Sequence, residues 1–98
     1  MGIEISDVVC ALRGRDSGKY FMVIGKEDDF VMLADGRGRR LEKPKRKKLK
    51  HITPAGSADG RTAQKLREGQ KVTNAEIRRA LAEYSAAEPG EKGGMHIG

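Results

Sequence analysis

The 98-residue chain has no tryptophan, one cysteine, two tyrosines and two phenylalanines. With only Tyr20, Phe21, Phe30 and Tyr84 as rings, neither a large apolar ligand pocket nor an enclosed active-site cleft is expected, because such cavities are lined mainly by apolar and aromatic side chains. A lone Cys10 cannot close an internal disulfide, and within VVCAL it reads as a small buried hydrophobe in a protein of a reducing compartment. No run approaches the ~20 apolar residues that cross a bilayer. MGIEISDVV has neither the basic flank nor the apolar core of a signal peptide. These absences predict a soluble cytoplasmic protein with no membrane and no small-molecule partner. Catalysis is not expected either. No nucleophile, base and orienter occur as a set, and neither GRDSGK nor ADGRGR fits the GxxxxGK[ST] of a P-loop. His51 and His96 have no second histidine or cysteine at ligand spacing, so no metal or other cofactor is expected.

What the chain has in excess is positive charge in one place. The net charge is +6 from 20 basic and 14 acidic residues. Residues 1–36 carry −3, residues 37–50 carry +8 and residues 51–98 carry +1. The stretch RGRRLEKPKRKKLK at 37–50 holds nine of the basic residues against the single acid Glu42. Each phosphate such a stripe neutralises releases condensed counterions, which gives binding a log–log salt slope of roughly −0.7 to −0.9 per contact. A polyanion, and nucleic acid foremost, is therefore the expected partner.

Hydrophobic patterning predicts a mainly β domain followed by a helix. The apolar run from Ile5 to Leu12 reads as a strand, GRDSGK as a turn, and YFMVIG at 20–25 as a second strand closed by KEDD. FVMLA at 30–34 gives a third strand, Asp35-Gly36 a hairpin dipeptide, and Arg39 to Lys43 a fourth strand with Leu41 inward. Pro44 ends that strand or lies on an exposed edge, and Leu49 and Ile52 anchor a last short strand or turn. Short strands about ten residues apart imply a small antiparallel barrel, here over residues 1–53, with 54–72 as a linker that begins PAGSADG. Within the linker TAQKLREGQ makes a turn of helix ended by Gly69. Thr73 and Glu76 form a capping box that opens a helix over 73–86. Its stripe of Ile77, Ala80, Leu81 and Tyr84 must cover the barrel or a partner. The glycine-rich residues 87–98 read as a disordered tail.

The first hairpin, DVVCALRGRDSGKYFMVIG, resembles the KOW motif of small SH3-like barrels in ribosomal proteins and transcription elongation factors. Gly18 corresponds to the motif's glycine, at a backbone turn that a Cβ would obstruct. FVMLADGRGRRLEKPKRKKLKHI extends the likeness to bacterial KOW-containing RNA-binding proteins, which are similar to a large-subunit ribosomal protein family of archaea and eukaryotes. Together the match covers residues 3–52. The resemblance implies an SH3-like β-barrel, no catalysis, and binding to RNA, ribosomal RNA foremost. The alternative it leaves open is an adaptor that contacts ribosomal or transcription proteins, with the amphipathic helix as the feature that supports it.

The candidate RNA-binding residues are Arg13, Arg15 and Lys19 around the first turn and Arg37, Arg39 and Arg40 around the turn before the fourth strand. Lys43, Lys45, Arg46, Lys47, Lys48 and Lys50 follow along the basic run. If the two turns converge on one rim of the barrel, these residues form a continuous basic face. Phe21 and Phe30 read as core, which leaves Tyr20 as the one candidate for stacking on a base. Recognition of phosphates and shape is expected rather than a base code. The turn with Glu27, Asp28 and Asp29 is expected to face away from RNA.

Overall fold

The first hairpin forms as its sequence requires. In the computed structural model, which describes residues 2–58 and 60–86, β1 (Asp7–Ala11) pairs antiparallel with β2 (Tyr20–Glu27), with Val9 opposite Phe21. The connecting turn takes positive φ at Gly14 (+83°) and Gly18 (+86°). The Gly18 amide donates to the Ala11 carbonyl at 2.8 Å, and the Ala11 amide donates to the Lys19 carbonyl at 3.0 Å. No atom lies within 4 Å of the position a Gly18 Cβ would take. The left-handed backbone, not the crowding expected from the motif, is what calls for glycine there.

β3 (Phe30–Ala34) pairs antiparallel with β2 across a bulge between Val23 and Gly25. The fourth strand then departs from expectation. It is not at 39–43 but at Lys45–Lys48 (β4), where it pairs with β3. Residues 35–44 form a loop instead of a two-residue hairpin. The Asp35 carboxylate accepts the amides of Arg37 and Arg39, each at 2.9 Å. The amides of Asp35 and Gly36 in turn donate to the Arg39 carbonyl at 2.8 and 3.1 Å. This side-chain-driven turn outcompetes a ladder over a segment whose one apolar residue, Leu41, packs toward the helical layer. Pro44 sits just ahead of β4, an edge strand, where its missing donor is tolerated.

The expected linker is also corrected. Ile52–Ser57 is β5, running antiparallel to β1 with Ile52 opposite Ala11, so PAGS completes the sheet. The helix α1 (Arg61–Arg67) comes next. It ends at Gly69 (φ +75°), whose amide donates to Leu66 at 3.2 Å while that of Gln70 donates to Lys65 at 2.8 Å, the paired bonds that satisfy terminal helix carbonyls. No boundary separates a domain at 1–53 from the two helices, because both pack on the sheet. The capping box forms. The Thr73 amide donates to the Glu76 carboxylate at 2.9 Å and the Glu76 amide to the Thr73 hydroxyl at 3.2 Å, opening α2 (Asn74–Ala86). The expected tail at 87–98 lies outside the described residues. Among the described residues no helix is long and apolar enough to cross a membrane.

The strand order is β4-β3-β2-β1-β5. Laid flat, the edge strands β4 and β5 would stand about 19 Å apart at ~4.8 Å per strand. They are joined by one 3₁₀ turn, Leu49–His51, which spans only about 6 Å at ~2 Å per residue. The sheet therefore has to curl into a barrel-like form. Val9, Ala11, Phe21, Val23, Val31, Leu33 and Ile52 fill its inside, with Ile3 and Leu49 packed against them. On the opposite face Val8 and Met22 meet Ala58, Ala63, Ile77 and Leu81, so the helix stripe covers the barrel.

Two glycines in left-handed backbone provide a test. Gly36 (φ +78°) lies against α2, where a Cβ would run into the Asn74 carbonyl and approach the Arg78 Cγ to 2.9 Å. Gly36→Ala is expected to cost about 3 kcal/mol in urea unfolding, through strain plus backbone displacement. Gly18→Ala, with strain alone, is expected to cost about 1 kcal/mol. Equal losses would contradict close packing of the loop on α2.

Candidate nucleic-acid interface

The two basic turns meet. Asp16, 8% exposed, accepts from Arg39 Nη2 at 3.2 Å and lies 3.7 Å from Lys19 Nζ. Lys47 Nζ donates to the Arg13 carbonyl at 2.9 Å. Turn 13–19, loop 35–44 and β4 are thereby tied together through Arg13, Asp16, Lys19, Arg39 and Lys47, while Arg15, Arg37 and Arg40 lie on the same two segments and take no part in these contacts. Burial pushes the Asp16 carboxyl up, but the hydrogen bond and charge of Arg39, then the charges of Lys19 and Lys45, outweigh it and hold the group below its ordinary value.

The far side of the loop is fastened to α2 by residues for which the sequence suggested no role. Asn74 accepts from the Leu41 amide at 2.8 Å and donates to the Glu42 carboxylate at 2.9 Å. Arg78 Nη1 donates to the Gly36 carbonyl at 2.6 Å. Nothing local in the sequence signals these partners, which lie 32 to 42 residues apart. The loop that carries Arg37, Arg39 and Arg40 is thus held from both sides.

Acids neutralise part of the rim and leave part open. Lys19 and Arg39 share Asp16, Arg40 stands 3.8 Å from Glu42, and Arg46 stands 3.2 Å from Glu27. Among the described residues, Arg13, Arg15, Arg37, Lys43, Lys45, Lys47, Lys48 and Lys50 have no carboxylate within 4.0 Å. A shallow groove runs between Arg39, Arg40, Lys43, Pro44, Lys45 and Arg46. His51 registers the resulting field. Desolvation lowers its pKa first, and the charges of Arg13, Lys50, Lys47 and Lys48 lower it further. Leu12, 51% exposed, stands beside Arg13 on the same turn.

β4 divides the rest of the basic run between two faces. Lys45 and Lys47 lie opposite the core residues Leu33 and Val31, while Arg46 and Lys48 lie opposite Met32 and Phe30. The cations therefore wrap around an edge strand rather than lying on one flat face. Lysines on an exposed edge also deter sheet-to-sheet pairing, a role that needs no ligand.

Two expectations about the aromatic rings are overturned. Phe30 is half-buried and belongs to neither apolar cluster, with the Arg46 guanidinium 3.7 Å and Lys48 Nζ 6.0 Å from its ring centre. Tyr20 packs instead toward the helices, its ring 6.0 Å from that of Tyr84, and does not offer a stacking face beside the basic run. Glu27, the last residue of β2, pairs with Arg46 on this face. Alternation along β3, with Val31 and Leu33 in the core, puts Phe30 outside, and the bulge after Val23 sets Glu27 opposite it.

No protein-family model matches the chain, and no curated protein matches it.

The Asp16 clamp makes stability depend on pH. A carboxyl lowered in the folded state contributes stability that is present above its unfolded pKa of about 3.9 and is lost as pH falls through the folded value. Asp16→Asn removes that contribution. Wild type should lose more unfolding free energy between about pH 6 and about pH 3 than the variant does. Parallel losses would mean that the Asp16–Arg39 pair is not the clamp.

Proposed function

We propose that the chain is a non-catalytic RNA-binding module of KOW type that acts in the cytoplasm on structured RNA, ribosomal RNA foremost. The observation that carries this reading is the joining of turn 13–19, loop 35–44 and β4 into one rim, with Arg13, Arg15, Arg37, Lys43 and Lys45 having no carboxylate within 4.0 Å among the described residues. Phosphate oxygens are the groups such a rim fits: arginine forks take them in pairs and lysines as point charges. The loop's hydrogen bonds to Asp35 and Asn74 fix in advance the backbone that carries Arg37 and Lys43, which lowers the ordering cost of binding. The resemblance of residues 3–52 to KOW-containing RNA-binding proteins supports the same class of ligand. The adaptor reading loses its main support, since Ile77 and Leu81 are buried against the sheet.

Filter binding to a structured ribosomal RNA fragment over a salt series tests the proposal. Replacing Arg37, Lys43 and Lys45 together by Ala should weaken binding and reduce the log–log salt slope by about 2. An unchanged slope would remove this rim from the binding surface. His51 offers a second readout, because phosphates that neutralise Arg13, Lys47 and Lys50 relieve the repulsion that lowers its pKa. The pKa from the His51 ring-proton titration should rise in the complex, and binding should tighten as pH falls through that range. A pKa that stays where it is in the free protein would place the phosphates elsewhere.

A further inference from the structure

Phe30 is the one aromatic ring outside both apolar clusters. It lies on the outer face of the sheet in a row with Glu27 of β2 and Lys48 of β4. Arg46 sits over the ring at 3.7 Å, and its Nε donates to Glu27 Oε1 at 3.2 Å, so two contacts hold the guanidinium in place. The Arg46 side chain is nonetheless 53% exposed. The ring covers only part of the guanidinium, and more than half of the side chain faces solvent. Beside this stack is a hollow lined by Asp29, Phe30, Lys48, Leu49 and Lys50.

This grouping differs in kind from the phosphate-binding rim. An edge strand protected by charge requires only dispersed lysines, whereas here a planar cation sits 3.7 Å over an aromatic ring, beside a hollow lined by two ammonium groups and the carboxylate of Asp29. Those are the parts that take up an unpaired nucleotide: a flat surface for the base, and point charges for the phosphates on either side. A duplex has its base faces already stacked and can use only the charges.

We propose that Arg46 on Phe30 is a stacking platform for an unpaired base of RNA, with Lys48 and Lys50 taking the adjacent phosphates. The proposal rests on the RNA-binding reading above and adds that the protein prefers RNA with splayed nucleotides. Stacking accepts any base, so the preference is for unpaired structure and not for sequence.

The test compares dissociation constants at fixed salt for a single-stranded RNA and a blunt RNA duplex with the same number of phosphates. Arg46→Lys keeps the charge and loses the plane, and Phe30→Leu keeps apolar volume and loses the ring. Each should weaken single-strand binding about tenfold and change duplex binding less than about twofold, while the Arg37, Lys43 and Lys45 triple-alanine variant weakens both. If the two platform variants weaken neither RNA, or both equally, while the triple variant still weakens both, the platform is refuted and the RNA-binding reading stands. Wild type that binds neither RNA refutes both. Thermal melting checks the fold, and should Phe30→Leu unfold, Arg46→Lys at its exposed position decides the outcome alone.

Discussion

Asp16 joins its own turn to a second one whose charges repel those of the first. Arg13, Arg15 and Lys19 occupy one and Arg37, Arg39 and Arg40 the other, and at a rim of a small barrel their charges come within reach of each other. The carboxylate of Asp16, buried at 8% exposure, is paired with Arg39 from across the gap and with Lys19 from its own turn. Replacing one acid here by a neutral group would leave the surrounding cations nothing to gather around. The pairing of the two turns rests on this contact.

The helical layer has a matching purpose. α2 buries Ile77 and Leu81 on the sheet, and that docking delivers Asn74 and Arg78 to the loop at Gly36, Leu41 and Glu42. The Lys65–Glu76 ion pair at 2.8 Å and the Arg67–Ser6 hydrogen bond at 2.9 Å tie α1 into the same layer. A loop of ten residues with net positive charge would ordinarily be a mobile arm. Held by Asp35 from within, Asp16 on one side and Asn74 on the other, it becomes part of the barrel's surface.

The parts of this structure that are legible in the sequence are those governed by local patterns. The strands at 7–11, 20–27 and 30–34 arise from apolar and β-branched runs, and the start of α2 from Thr73 and Glu76. Local pattern misplaces the fourth strand because the Asp35 carboxylate, by capping Arg37 and Arg39, makes a longer turn in place of a hairpin dipeptide. β5 reads as linker because Pro54, Ala55 and Gly56 have loop composition, and only pairing with β1 along a sheet edge makes them a strand. For the candidate site, the convergence of the two basic turns is legible from the small size of the barrel. The roles of Phe30 and Tyr20 exchange: alternation in FVMLA, with Val31 and Leu33 inward, already turns Phe30 outward, whereas the helical layer that covers Tyr20 is not written in any local pattern.

The central claim is that one contiguous surface, built from turn 13–19, loop 35–44 and the outer face of β4, meets RNA. Amide chemical-shift mapping during titration with a structured RNA addresses it most directly. Perturbations are predicted at residues 12–19, 36–51 and around Phe30, with the solvent side of α2 unaffected. Perturbations confined to α1 and α2, or none at RNA concentrations that saturate binding, would contradict it.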